Sequence, residues 1–181
     1  MGDPIASWHA EHVYFNHLLD LLEKQVERFH SGQRPDYELM LDIIRYLREY
    51  SDQFHHPREE VAFDLLAARC NDLAPLLDRL TQEHRVIAIA GERLEALLQA
   101  ALDDALFGRA ELEAAAATYL VYYRHHIARE EGGVLARAKE ALTPEDWEAA
   151  RRAAPSGADP LHGPDPAERF RRLRHHLAAN A

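Results

Sequence analysis

The chain writes one polar pattern twice, about 71 residues apart, into stretches that are otherwise apolar at helical spacing. The first copy is Glu11-His12, followed by His55-His56-Pro57-Arg58-Glu59-Glu60. The second is Glu83-His84, followed by His125-His126-Ile127-Ala128-Arg129-Glu130-Glu131. His12 precedes His55 by 43 residues, and His84 precedes His126 by 42. Superposing the two Arg-Glu-Glu runs pairs His55 with His126 and Glu59 with Glu130, so in each copy a His and a Glu stand at i and i+4 on one helix face. This confines the chain to folds that bring four helical segments to one place.

The apolar periodicity supplies those segments. A first helix opens with Asp3 as N-cap and Pro4 at its first position, then runs Ile5, Trp8, His12, Phe15, Leu19, Leu22, Val26, Phe29. This alternating three-four spacing is a bundle seam, and His12 occupies a core position in it. A second helix starts near Asp36 and turns Met40, Ile44, Leu47, Phe54, His55, Glu59, Ala62 and Leu66 inward. After a break at Asn71-Asp72, a third repeats Leu73, Leu77, Leu80, His84, Ile87, Gly91, Leu94, Leu98. Past Gly108, a fourth brings Leu112, Tyr119, Tyr123, His126, Glu130 and Val134 to one side and ends near Leu142. Thr143 then caps a short fifth helix. The fold class expected is all-α: an up-down-up-down four-helix bundle over residues 1–150, with an irregular linker and a short C-terminal amphipathic helix over 151–181. In that last piece Asp165-Pro166-Ala167-Glu168 reads as the cap, and Phe170, Leu173 and Leu177 as an apolar stripe on a basic helix. The stripe either docks on the bundle or serves a homodimer contact.

Composition removes several function classes. A net charge of −10 and a pI near 5.6 argue against nucleic acid as a partner. The single cysteine, Cys70, leaves no intramolecular disulfide framework and no cysteine-based metal site. No apolar run reaches the roughly 18 residues of a membrane span, and the start of the chain lacks the pattern of a signal peptide, so a cytoplasmic location is expected.

A carboxylate on a bundle seam is costly unless paired or bound to a cation. Glu59 and Glu130 stand there, each one turn from a seam histidine. The set His12, His55, Glu59, His84, His126 and Glu130 is therefore the expected ligand set of a two-metal site, and imidazole with carboxylate suits iron. His56 and His125 neighbour these ligands and are alternative donors if the helix is distorted locally. Pro57 lacks the helical donor beside them and makes such a distortion accessible. Glu131 is the alternative to Glu130. Otherwise Glu60 and Glu131 belong outside the ligand set, and His9 and His17 at its periphery. Tyr122 and Tyr123, four and three residues before His126, are candidates to reach the pocket and bind beside the cofactor; core packing is the competing role. Gly132-Gly133 reads as a structural break that loosens or ends the fourth helix.

The same residues resemble the hemerythrin-like, or HHE cation-binding, family. The resemblance is carried by Glu11-His12, Phe54-His55-His56-Pro57-Arg58-Glu59-Glu60, Gln82-Glu83-His84 and Tyr123-Arg124-His125-His126 with Glu130-Glu131. Leu142-Thr143-Pro144-Glu145-Asp146-Trp147 is similar to the segment after the fourth helix in bacterial members. The resemblance implies a four-helix bundle around two non-heme, oxygen-bridged iron ions. His12, His55, His84 and His126 would be terminal ligands, and Glu59 and Glu130 would bridge. The chain departs from oxygen-carrying members in having only His84 on its third helix, with Leu80 and Ala88 four residues away, and Glu131 where an Asp is usual. These departures leave more coordination positions open and point to binding or sensing of dioxygen or nitric oxide rather than dedicated oxygen carriage. A di-iron enzyme, an iron-delivery protein for stress or iron-centre repair, and an iron store or sensor are the alternatives.

Overall fold

In the computed structural model the chain is described over residues 3–103, 105, 108–154, 159, 161 and 168–179, and among these there is helix and turn but no strand. Four long helical runs dominate. The first is α1 (Pro4–His30). The second is continuous through α2 (Tyr37–Tyr46), a π-helical stretch (Leu47–His55) and α3 (His56–Arg69). The third is α4 (Ala74–Leu102). The fourth joins α5 (Arg109–Arg129), a second π-helical stretch (Glu130–Val134) and α6 (Leu135–Ala141). They are followed by α7 (Pro144–Ala153), a 3₁₀ turn (Glu168–Phe170) and α8 (Arg171–Ala179).

The helix starts follow the local chemistry. The Asp3 carboxylate accepts from the Ile5 N–H, with Pro4 next in the chain, where its missing N–H costs nothing. Asp36 likewise accepts from the Leu39 N–H. Thr143 and Asp146 form a reciprocal capping box at the start of α7.

Both expected irregularities are π-helical. The His56 N–H reaches back five residues to the Ser51 carbonyl. The wide turn lies immediately before Pro57, whose ring cannot sit against the carbonyl four residues earlier in a regular helix. In the fourth run, Gly133 leaves helical geometry with φ 172° and ψ −27°, and the helix resumes beyond it rather than ending.

The buried apolar residues form two cores, one on each side of a polar layer. The larger holds Phe15, Leu47, Ile87, Tyr119, Tyr123 and Ile127; the smaller holds Trp8, Ala62, Leu66, Leu80, Val134 and Leu135. Each long run passes from one core to the other through the polar layer: Trp8–His12–Phe15 on α1, Leu80–His84–Ile87 on α4. Gly91 on α4 lets the fourth run come close, since a Cβ there would stand 3.1 Å from the Tyr119 ring.

The C-terminal helix docks on its own bundle. Phe170 and Leu173 are buried in the larger core, Leu177 packs against it, and Arg172 pairs with Glu38 and Asp42 of α2. Its apolar stripe is thus consumed within the chain, which removes the sequence argument for a homodimer through this helix. The expected cap at Asp165–Ala167 falls outside the described residues.

Candidate metal centre

All six expected ligands lie in the polar layer and are buried: His12, His55, Glu59, His84, His126 and Glu130. Glu59 and Glu130 have no measurable exposure. Each carboxylate faces both ends of the layer. Glu59 Oε1 is 3.3 Å from His12 Nε2 and 3.0 Å from His55 Nε2, while its Oε2 is 3.4 Å from His84 Nε2. Glu130 mirrors it. Its Oε1 is 3.0 Å from His126 Nε2 and 3.8 Å from His84 Nε2, while its Oε2 is 3.4 Å from His12 Nε2. His12 and His55 form one imidazole pair, with Nε2 atoms 3.0 Å apart, and His84 and His126 form the other.

None of the four carboxylate oxygens has a hydrogen-bond partner, and neither do Nε2 of His84 and Nε2 of His126. Six lone-pair-bearing atoms therefore face a shared interior space unsatisfied, an arrangement too costly for a purely structural core. The spacings match neighbouring donors around a cation bonded at about 2.1 Å, which stand roughly 3 Å apart. The donor set of imidazoles and carboxylates without sulfur is that of a borderline to hard divalent metal. The residues fit a metal pair.

The opposite face of every imidazole is held by a further carboxylate. His12 Nδ1 is 2.7 Å from Glu131, His55 Nδ1 is 2.7 Å from Glu11, His84 Nδ1 is 3.2 Å from Glu60, and His126 Nδ1 is 3.3 Å from Glu83. A proton on each Nδ1 donates outward and leaves Nε2 free to ligate. Two arginines finish the pattern: Arg58 bonds Glu11 at 2.5 Å, and Arg129 bonds Glu83 at 2.5 Å. Glu11 and Glu83 were the residues that sequence reasoning left without a role. Their signal was present in the repeated Glu-His pair and the repeated Arg of Arg-Glu-Glu. Their partners, however, lie 44 and 43 residues away on other helices.

The neighbours resolve as follows. Glu130 is central, and Glu131 sits outside it, bridging His12 and the exposed His9. His125 is exposed and does not approach the cluster. His56 is buried beside the second pair, with its ring stacked on His84 at 4.1 Å, and could join Glu59, His84 and His126 around one ion. Both of its nitrogens are otherwise engaged. Ser51 Oγ, itself accepting from the Tyr123 hydroxyl at 2.5 Å, donates to His56 Nε2 at 3.0 Å, and Nδ1 faces Asp52 at 3.5 Å. Tyr123 therefore reaches the layer through Ser51. Tyr122 does not: it is 46% exposed. Tyr123 shares the stripe of Tyr119 and His126, whereas one residue earlier the helix has turned about 100° away.

Charge is concentrated here. Burial works against a protonated His12, but Glu59, Glu130 and Glu131 outweigh it and raise the ring to about 9. Burial opposes, and Glu59 with Glu11 outweighs, in His55, which is also raised. For Glu59, burial favours the neutral acid, yet His55, His12 and His84 hold it well below the usual carboxylate range. His56 goes the other way: burial and the neighbouring His84 keep it neutral.

The family model of the Hemerythrin HHE cation binding domain matches residues 3–138. The chain belongs to the hemerythrin HHE cation-binding family. That span holds every residue of the polar layer, and the His/Glu clusters of this HHE domain fit the metal site its family implies. Among curated proteins and solved structures, none matches the chain. Among the described residues, no helix of this HHE domain is long and apolar enough to cross a membrane.

Proposed function

We propose that this HHE domain is a non-heme di-iron protein that binds or senses dioxygen or nitric oxide. The supporting observation is that Glu59 and Glu130 each turn one unsatisfied oxygen to each imidazole pair. In this reading His12 and His55 hold one ion, His84 and His126 hold the other, and the two glutamates bridge. The short connections between the long runs fit an up-down-up-down bundle over residues 1–150, with 151–181 as an appendage.

When bound, the irons supply electrons and open coordination positions for a small ligand. The chain does the rest. Glu11, Glu131, Glu60 and Glu83 hold the four imidazoles in the tautomer that leaves Nε2 free. Phe15, packed 5.0 Å from His55, and Phe63, 6.0 Å from His84, keep water from the layer. Six protein ligands leave more positions open than an octahedral pair needs for structure alone, which suits a site that takes up a ligand.

The test is metal content per chain, with an aerobic absorption spectrum, on protein produced with iron. Two irons and near-ultraviolet oxo-to-iron charge-transfer bands are expected, changing on exposure of the reduced protein to dioxygen or nitric oxide. A protein that takes up no ferrous iron would end the reading. Two irons with no spectral response to either gas would leave storage or delivery in its place.

A further inference from the structure

A second site lies outside the metal layer. Residues of α1, α3 and α7 enclose a cavity of about 470 Å³ between the start of α1 and the start of α7. Trp8 and Trp147 line it, and they are the only two tryptophans of the chain. Their rings meet edge to face at 5.2 Å. Pro4, Pro144 and Ala150 complete an apolar wall, and Arg58 and Arg151 stand among the polar lining. The cavity exists because α7, which begins beyond the matched span of residues 3–138, packs on α3.

The lining selects a chemical class. Edge-to-face indoles flanked by prolines offer flat apolar surfaces suited to an aromatic ring. The charged members nearly cancel: Asp3 pairs with Lys139, Glu148 with Arg151, and Arg58 with Glu11. What remains uncancelled is positive, because the starts of both α1 and α7 abut the cavity. Arg151 is mostly exposed at the rim and can turn one N–H from Glu148 to a ligand carboxylate. We infer that this cavity is a binding site for a small aromatic monocarboxylate.

Its position gives the site a consequence. Trp8 lies with its ring 6.2 Å from His55, and Arg58 holds the Glu11 that holds His55 Nδ1. An occupant would rest one side chain away from a ligand of the metal layer, yet touch none of its atoms. The inference stands on the cavity alone and does not depend on which metal the layer holds.

Because both tryptophans line the cavity, their intrinsic fluorescence reads its occupancy directly. The probes are phenylacetate and its uncharged analogue phenylacetamide, titrated into the full chain with metal bound and again after chelation. Phenylacetate should give a saturable change, with about fivefold or greater preference over the amide. Ser7→Phe, at an exposed rim position, should abolish the change, and Arg151→Ala should reduce phenylacetate to the affinity of the amide. Circular dichroism on each variant separates lost binding from lost folding. No saturation by either probe up to about 10 mM, where binding no longer requires a site, overturns the inference. Equal binding of acid and amide, or saturation that survives Ser7→Phe, overturns it as well.

Discussion

The two halves of the molecule build the same half-site by different local means. In the first, α1 and the run from Tyr37 to Arg69 supply His12, His55 and Glu59; in the second, α4 and the run from Arg109 to Ala141 supply His84, His126 and Glu130. The internal His-to-Glu spacing is 3.0 Å in both. The helical distortion is on opposite sides of it. Leu47–His55 is π-helical up to the first histidine, beside Pro57, whereas Glu130–Val134 is π-helical from the second glutamate onward, around Gly132-Gly133. What is conserved between the halves is therefore the i, i+4 relation of imidazole and carboxylate, and what varies is where the helix departs from regularity to accommodate it.

A second difference concerns one residue. The position of His56 in the first half is Ile127 in the second. His56 consequently stacks on His84 and draws Ser51, Asp52 and Tyr123 into a chain of polar contacts beside the second imidazole pair. Ile127 joins the larger apolar core and offers the first pair nothing comparable. The two ends of the layer are matched in ligands and unmatched in surroundings.

The comparison can be broken most severely at its shared members. Glu59→Ala and Glu130→Ala each delete an oxygen from both ends, so each should lower metal content by at least one ion per chain. Elemental analysis that finds two ions in both variants would remove the glutamates from the ligand set. The outer carboxylates come next. Glu11→Gln and Glu83→Gln each loosen one imidazole in equivalent places, and about 10- to 100-fold weaker metal retention is expected in chelator competition. Unequal losses would show that the halves differ in strength as well as in surroundings.

His56→Ile makes the first half imitate the second. With both nitrogens held by Ser51 and Asp52, its loss should leave two metals per chain and weaken retention less than about tenfold, below the range expected for a lost imidazole holder. Loss of a whole ion would make His56 a ligand of the second end. The smallest effect is expected from pH on the chelated protein. The folded pKa of His12 is raised from 6.5 to about 9, so its protonated ring stabilises the fold fully below pH 6.5, and that contribution is lost as pH rises through 9. Thermal unfolding of the chelated chain should therefore fall by several degrees between these limits. The metal-loaded chain should not follow it, because a ligating His12 carries no proton at Nε2 to lose.

Much of the layer was legible before any coordinates. His12 and His84 occupy seam positions of regular apolar stripes, and burial of a polar group there is readable from spacing alone. Glu59 and Glu130 follow from i, i+4 geometry. Tyr122 and Tyr123 were not separable in this way, since adjacent positions about 100° apart both fall near the edge of an inward face. Packing chose Tyr123 and left Tyr122 exposed. The C-terminal stripe was legible as apolar but not as to what it covers; contact with α2 decided that.

The sequence by itself determined the helical segments, the six central side chains and their duplication, because these depend on periodicity within one segment. Only the tertiary structure decided that Glu11 holds His55, that Glu131 rather than a nearer residue holds His12, and that α7 closes a cavity over Trp8. Such pairings depend on the rotation and axial offset of one helix against another. The residues involved lie 44, 119 and about 140 positions apart, and no spacing along the chain encodes those two quantities.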